Sequence, residues 1–245
     1  FAFAGSWSPR RWKILFIADS GFGEHSRGLY VMNSDGTNKK RLTPAGEDVF
    51  GSAAWSPDGN KIAYIEIDTS DQFGRGRIKL INPDGSDPKI LTDWYGELRE
   101  VTWSPDSRRI IFDGFEYMSY NKLKIINADG TGLSVLFEYH RACYLPSWSP
   151  DGTLVAFCSF TYIDGSYYTK IFTYDINTKK IKLLTSGKSM DFSSTWSSDS
   201  KTILYSSFPP GNYNCSSLYA IGVDGSNNVR LTDSLGLDYD VSWFK

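Results

Sequence analysis

Histidine and cysteine are scarce in this chain, with two His and three Cys among 245 residues. Two imidazoles, His25 and His140, cannot build a three-histidine metal centre. Cys143, Cys158 and Cys215 are odd in number and lack metal-ligand spacing. At most one disulfide forms among them, and three small buried residues is the simpler expectation. An excess of one charge is missing too: 26 Lys and Arg stand against 28 Asp and Glu. That balance removes the global basic field that nucleic acid or an anionic membrane would select. Short runs such as Lys39-Lys40-Arg41 and Lys179-Lys180 read as solvated strand ends. No apolar run approaches the roughly 20 residues of a membrane-spanning helix. No segment keeps a helical period with caps, no Gly-x-Ser-x-Gly elbow is present, and no Gly-rich phosphate loop occurs in helical context. Asn214-Cys215-Ser216 fits a glycosylation sequon, but one match is expected by chance at this length. The chain opens on Phe1 rather than Met, as expected of a processed or truncated product.

Aromatic residues are abundant: eight Trp, fifteen Tyr and fifteen Phe. Flat rings suit the pleated surface of a sheet. The tryptophans also keep time. Trp7, Trp55, Trp103, Trp148, Trp196 and Trp243 are separated by 48, 48, 45, 48 and 47 residues. A second landmark follows the same beat, with "NSDG" at Asn33, "NPDG" at Asn82, "NADG" at Asn127, "DINT" at Asp175 and "GVDG" at Gly222. A third comes after it: "RLT" at Arg41, "ILT" at Ile90, "VLF" at Val135, "LLT" at Leu183 and "RLT" at Arg230. Three landmarks in step five times define a structural repeat.

Each unit reads as four strands. One runs into the Trp, one follows the turn with period-two alternation ("KIAYIEI", "LVAFCSF"), one precedes the Asp-Gly turn, and a short one ends in Leu-Thr. In Ser56-Pro57-Asp58-Gly59, proline pre-sets φ, Asp bonds locally, and Gly takes the left-handed position. Ser8-Pro9-Arg10-Arg11 and Ser197-Ser198-Asp199-Ser200 lack the glycine, and Asn177-Thr178 replaces Asp-Gly. That drift points to a required turn rather than a required chemical group. A four-stranded unit of this size cannot bury both faces alone, and radial repetition solves the problem. The expected fold class is all-β: a β-propeller of four-stranded antiparallel blades, with the repeated Trp filling the space between blades.

Trp-Ser-Pro-Asp-Gly, the "IAY" or "VAF" strand, Asn-x-Asp-Gly and Leu-Thr together resemble the PD40 repeat of the TolB-like propellers, a WD40-like family. The resemblance covers essentially the whole chain. The Gly-His and Trp-Asp signature of WD40 proteins proper is missing. Residues 1–245 are expected to form one domain of five repeats, starting near Trp7, Trp55, Trp103, Trp148 and Trp196, with a closing strand at 238–244. Five blades is the favoured count; six, or an incomplete six-bladed ring, is the alternative, because "DYDVSWF" supplies a sixth first-type strand.

Short repeated turns occupy one face of such a propeller, so function is sought among the variable loops on the other. Those loops are aromatic. The candidate partner-binding residues are Trp94, Tyr95, Arg99, Tyr117, Tyr120, Tyr139, His140, Arg141, Tyr162, Tyr167, Tyr168 and Tyr213, with Phe115, Tyr144 and Phe208 beside them. Tyr, Trp and Arg on one surface are the composition of a protein-binding hot spot or a sugar-stacking platform. Glu47, Asp48, Glu97, Glu100, Asp191, Asp238 and Asp240 precede repeated tryptophans. They read as solvated loop charges, and no cofactor is expected. Ca²⁺ is the ion a ring of such carboxylates would suit. The expected function is a non-catalytic scaffold that docks a protein. A carbohydrate-binding or adhesive surface is one alternative, and a polysaccharide lyase or glycosidase using carboxylates at the axial mouth is another. Nucleic-acid binding and a membrane span are not expected. The resemblance implies a periplasmic or extracellular setting.

Overall fold

The computed structural model describes residues 2–19, 27–70, 74–114, 120–233 and 236, without the side chains of residues 2–5. The expected closing strand at 238–244, His25, Phe115 and Tyr117 lie outside the described residues. Twenty strands form five four-stranded antiparallel sheets, each in sequence order, and no helix occurs among the described residues. No described helix is therefore long and apolar enough to cross a membrane.

The chain divides into two compact units, Phe1–Leu136 and Phe137–Lys245. Unit 1 holds three blades. Blade 1 comprises β1 (Ala2–Trp7), β2 (Lys13–Asp19), β3 (Arg27–Asn33) and β4 (Lys40–Arg41). Blade 2 comprises β5 (Asp48–Trp55), β6 (Ile62–Ile67), β7 (Gly76–Ile81) and β8 (Lys89–Ile90). Blade 3 comprises β9 (Val101–Trp103), β10 (Arg109–Gly114), β11 (Lys122–Asn127) and β12 (Ser134–Val135). Unit 2 holds blade 4, with β13 (Cys143–Trp148), β14 (Leu154–Ile163), β15 (Ser166–Asp175) and β16 (Ile181–Leu183). It also holds blade 5, with β17 (Met190–Trp196), β18 (Thr202–Phe208), β19 (Ser217–Gly222) and β20 (Val229–Arg230).

Period-two alternation divides each middle sheet between two cores. In blade 2, Ile62, Tyr64 and Ile81 pack with blade 1 residues Leu15, Ile17, Leu29 and Leu42. The intervening Ala63, Ile65, Ile78 and Leu80 pack with blade 3 residues Val101, Trp103, Ile110 and Phe112. Blades 4 and 5 repeat the arrangement through Ala156, Cys158, Ile171 and Leu184 against Trp196, Ile203 and Tyr205. Trp55, Trp103 and Trp196 sit in these seams as expected. Trp103 donates its indole N–H to the Ala54 carbonyl, and Trp196 donates to the Ser147 carbonyl, both at 3.1 Å. Trp7 departs from the pattern, at 53% exposed.

The serine after each tryptophan has its own work. Ser56 donates its hydroxyl to Asp58 at 2.6 Å and accepts the Lys61 N–H at 2.9 Å, closing the turn from inside. Ser104, Ser149 and Ser197 do the same for Asp106, Asp151 and Asp199. The fourth turn position is left-handed in every blade, with φ of 56° at Arg11, 76° at Gly59, 59° at Ser107, 73° at Gly152 and 61° at Ser200. Where serine stands there, its hydroxyl accepts the backbone N–H of the Asp in the preceding turn: Asp58 to Ser107 at 3.0 Å, Asp151 to Ser200 at 3.1 Å. The missing glycine is thus not mere drift, because in those copies a side chain ties one blade to its neighbour.

Leu-Thr is an edge cap. Leu42, Leu91, Leu184 and Leu231 donate their N–H groups to the carbonyls of Leu29, Ile78, Ile171 and Leu218. The adjacent Thr43, Thr92, Thr185 and Thr232 accept the N–H of those same third-strand residues through their hydroxyls. Lysines from the fourth strands then reach the next blade, Lys40 to the Asp84 carbonyl at 2.6 Å and Lys182 to the Val223 carbonyl at 3.2 Å.

Candidate functional site

The candidate residues of unit 1 come from the loop between β8 and β9 and from the approach to β11. Tyr95 is half-buried, exchanges backbone hydrogen bonds with Gly76 at the start of β7, and packs its ring on Phe112 at 6.1 Å. Lys124 lies 4.1 Å above that ring. Trp94, also half-buried, is covered by the Arg77 guanidinium at 4.2 Å. Arg99 is exposed and forks onto Glu97 at 3.0 Å and 3.2 Å. Tyr120 is 63% exposed. Trp94 and Tyr95 therefore seal their own loop onto the blade, which weakens their candidacy as free anchors.

Beneath them runs a network of charges. Lys79 contacts Glu47 at 2.6 Å and Glu66 at 3.3 Å, Arg77 reaches Glu66 at 2.5 Å, and Tyr64 donates to Glu47 at 2.7 Å. Burial, with Glu47 beside it, pushes the Tyr64 hydroxyl well above the ordinary tyrosine range. Asp48 is buried and accepts the Arg27 N–H at 2.8 Å. Asp191 is buried in unit 2, bound to Lys170 at 2.9 Å and to the Ser207 hydroxyl at 2.6 Å. The expectation of solvated loop charges is therefore corrected for Glu47, Asp48 and Asp191, which are consumed by buried cations, hydroxyls and backbone donors. No group of three or more His, Cys, Asp or Glu arranged to hold a metal occurs among the described residues. All three cysteines are free. Burial pushes the Cys143 thiol up to about 12.

Unit 2 assembles a more open arrangement. β14 and β15, ten residues each, form a hairpin turning at Asp164 and Gly165, with φ of 45° and 86°. Asp-Gly is the residue pair that suits such a two-residue turn. Tyr162, Tyr167 and Tyr168, expected on a loop, are strand residues of this ribbon. The signal was present in "TYIDGSYY", where strand residues flank a hairpin dipeptide. Tyr162 and Tyr167 face each other across the ribbon with ring centroids 5.0 Å apart, at 55% and 62% exposed. Arg141, from the segment before β13, donates to the Phe160 carbonyl at 2.9 Å and sits 5.6 Å over the Tyr167 ring. Tyr144 continues the stripe against Phe160 at 5.8 Å and shares a hydrogen bond with Thr169 at 3.0 Å. Tyr168 is half-buried. Tyr139 turns inward onto Phe137, Phe157 and Phe172 and belongs to the packing of its own loop. His140 is exposed with its ring 5.0 Å from Tyr139. Tyr213 is 61% exposed on the β18–β19 loop. Phe208 is buried against Phe192. Sequence reasoning named Arg141 but gave no sign that it would brace the ribbon, since the two segments meet only in the folded blade.

No family model matches the chain. Among curated proteins, dipeptidyl-peptidase 5 of Porphyromonas endodontalis is 31% identical over 84 residues, 34% of this chain and 11% of that protein. The Tol-Pal system protein TolB of Methylococcus capsulatus is 36% identical over 58 residues, 23% of this chain and 13% of that protein. The chain thus spans a small fraction of the relatives it matches. Among solved structures, TolB from Acinetobacter baumannii superposes with a TM-score of 0.72 at 20% identity, covering 97% of this chain and 55% of that one. An oligogalacturonate lyase in complex with manganese gives 0.72 at 18%, covering 93% and 64%. At these identities the superpositions speak for the fold alone. Repeat motif, blade topology and both comparisons converge on a TolB-like β-propeller.

Proposed function

We propose that this propeller is a non-catalytic binding module that captures another protein through the exposed aromatic surface of unit 2. The observation that carries the reading is the Tyr162–Tyr167 pair with Arg141 beside it. Two large rings stand in solvent on a braced ribbon, and such rings with an Arg neighbour are the residues that dominate protein-binding hot spots. Ring contacts on a rigid hairpin cost little entropy to order, which favours their use as anchors. The likeness to TolB supports docking of a protein in an envelope or extracellular setting. The likeness to an oligogalacturonate lyase keeps a carbohydrate ligand or a lyase activity as the competing reading.

Two assays on the full chain separate them. A displayed peptide library panned on the protein should yield ligands whose binding falls at least about tenfold, near 1.4 kcal/mol, in Tyr162→Ala/Tyr167→Ala. A glycan array and a polysaccharide turnover panel should stay silent. Defined sugar hits lost in the same variant would replace this reading with the carbohydrate one, and turnover would replace it with the enzymatic one.

A further inference from the structure

We infer that Arg141 and the Tyr162–Tyr167 pair form a receptor for a carboxylate on the partner protein, an Asp or Glu side chain flanked by apolar residues. This rests on the protein-docking reading above and specifies the chemistry of what docks.

The arginines of this chain differ in what they face. Arg27, Arg75, Arg77, Arg99 and Arg230 each lie 3.9 Å or less from a carboxylate of the chain itself: Asp48, Asp68, Glu66, Glu97 and Asp233. Arg141 does not. Among the described residues its guanidinium meets the Phe160 carbonyl at 2.9 Å and the Tyr167 ring at 5.6 Å, and no carboxylate. A guanidinium carries several N–H donors in a rigid fork. One Nη1 donor is engaged here, and the others have no acceptor among the described residues. Carbonyl and ring hold the fork in place without neutralising it. Its charge is therefore already oriented beside the exposed rings, and little entropy is lost when it takes a carboxylate.

Along the ribbon itself the charge cancels. From Ser159 to Thr169 the one charged residue is Asp164, and Lys188 pairs with it at 3.2 Å. Arg141 is thus the charge in contact with the exposed ring pair, and the site favours an anion. A single guanidinium matches a carboxylate, whose two oxygens meet the fork side by side, whereas phosphate recognition draws on clusters of arginines.

The rings favour a peptide as the carrier of that anion. Tyr162 and Tyr167 are tilted to each other by 57°, with centroids 5.0 Å apart, so they do not make a flat two-ring platform. The guanidinium lies over Tyr167. A sugar ring stacks flat on an open aromatic face, and Tyr167 has given one face to Arg141. Apolar side chains make no such demand and pack into the angle between tilted rings.

The test uses peptides selected from a displayed random library on the full chain and counter-selected on Tyr162→Ala/Tyr167→Ala. Ring-dependent sequences should carry an Asp or Glu beside apolar residues. In synthetic copies, changing that acid to Asn or Gln should weaken binding about tenfold on the parent and leave it unchanged on Arg141→Gln, where the charge is already gone. Added salt should weaken the acidic peptide more than its amide copy. Arg141→Glu should lose the acidic peptide and take the same sequence with Lys in place of the acid. That reversal separates recognition from the bracing of Phe160, which no peptide charge restores. Should Arg141→Glu fail to fold, the amide copies and Arg141→Gln still decide. Ring-dependent peptides without an acid, or with an acid indifferent to Arg141→Gln, would overturn the carboxylate receptor and spare the docking reading. Uronic-acid oligomers bound by the parent and lost in Arg141→Gln would overturn the peptide in favour of an acidic saccharide. Absence of any ring-dependent ligand would overturn both readings.

Discussion

The hydroxyl of Ser107 accepts the backbone N–H of Asp58 at 3.0 Å, tying the turn of blade 3 to that of blade 2. Ser107 holds this bond from a left-handed φ of 59°, a conformation that costs a non-glycine residue about 1 kcal/mol. Ser107→Ala keeps the strain and drops the bond, so it should destabilise by about 1–2 kcal/mol. Ser107→Gly drops both and should lie near neutral. Urea unfolding of the two variants reads the difference, and equal losses would deny the bond its role.

Lys170 and Asp191 are both buried to within 1%, and Lys170 also donates to Ser189 at 2.8 Å. Removing one partner strands the other charge. Lys170→Met should therefore cost about 3–5 kcal/mol, with Lys170→Met/Asp191→Leu recovering a large part of it. A double-mutant cycle by chemical denaturation measures the coupling, and additive losses would contradict it.

Asp113 accepts the N–H groups of Arg99 and Glu100 with one carboxylate oxygen, while the other is buried without a hydrogen-bond partner. Burial raises its pKa above the ordinary value of 3.8, against the pull of those two N–H groups. The folded state then binds the proton more tightly than the unfolded one. Its contribution to stability is full below the unfolded pKa and is lost as pH rises through the folded one. Asp113→Asn should therefore be more stable than the parent at neutral pH, with the gap closing as pH falls towards the unfolded value. Asp106 and Asp199 behave oppositely. The hydroxyls of Ser104 and Ser197 hold their pKa values down, so their contribution is present at neutral pH and lost in acid. Thermal melts across pH should reveal both slopes.

Tyr95 and Tyr162 were equal candidates in the sequence, and the fold separates them. Tyr95→Ala should destabilise by about 2 kcal/mol, because its half-buried ring packs on Phe112 and under Lys124. Tyr162→Ala, with its ring in solvent, should change stability by no more than about 0.5 kcal/mol. The same urea curves decide, and a large loss at Tyr162 would argue that its ring is structural.

The sequence by itself determined the repeat, the strand count per blade, the turn positions and the tryptophan seams, because each follows from local periodicity and turn chemistry written five times. It also placed Tyr, Trp and Arg in the variable segments between the landmarks. Tertiary structure decided which of those rings are free. Trp94 and Tyr139 look no different from Tyr162 along the chain, but Arg77 and Phe157 arrive from other strands to cover the first two. It also decided the fate of the carboxylates: Asp191 is buried because Lys170, 21 residues earlier, projects to the same point. Pairing partners across strands depend on register and packing, which local sequence does not encode. The Ser200 hydroxyl belongs to both accounts, visible in the sequence as a missing glycine and intelligible only once the neighbouring turn lies 3.1 Å away.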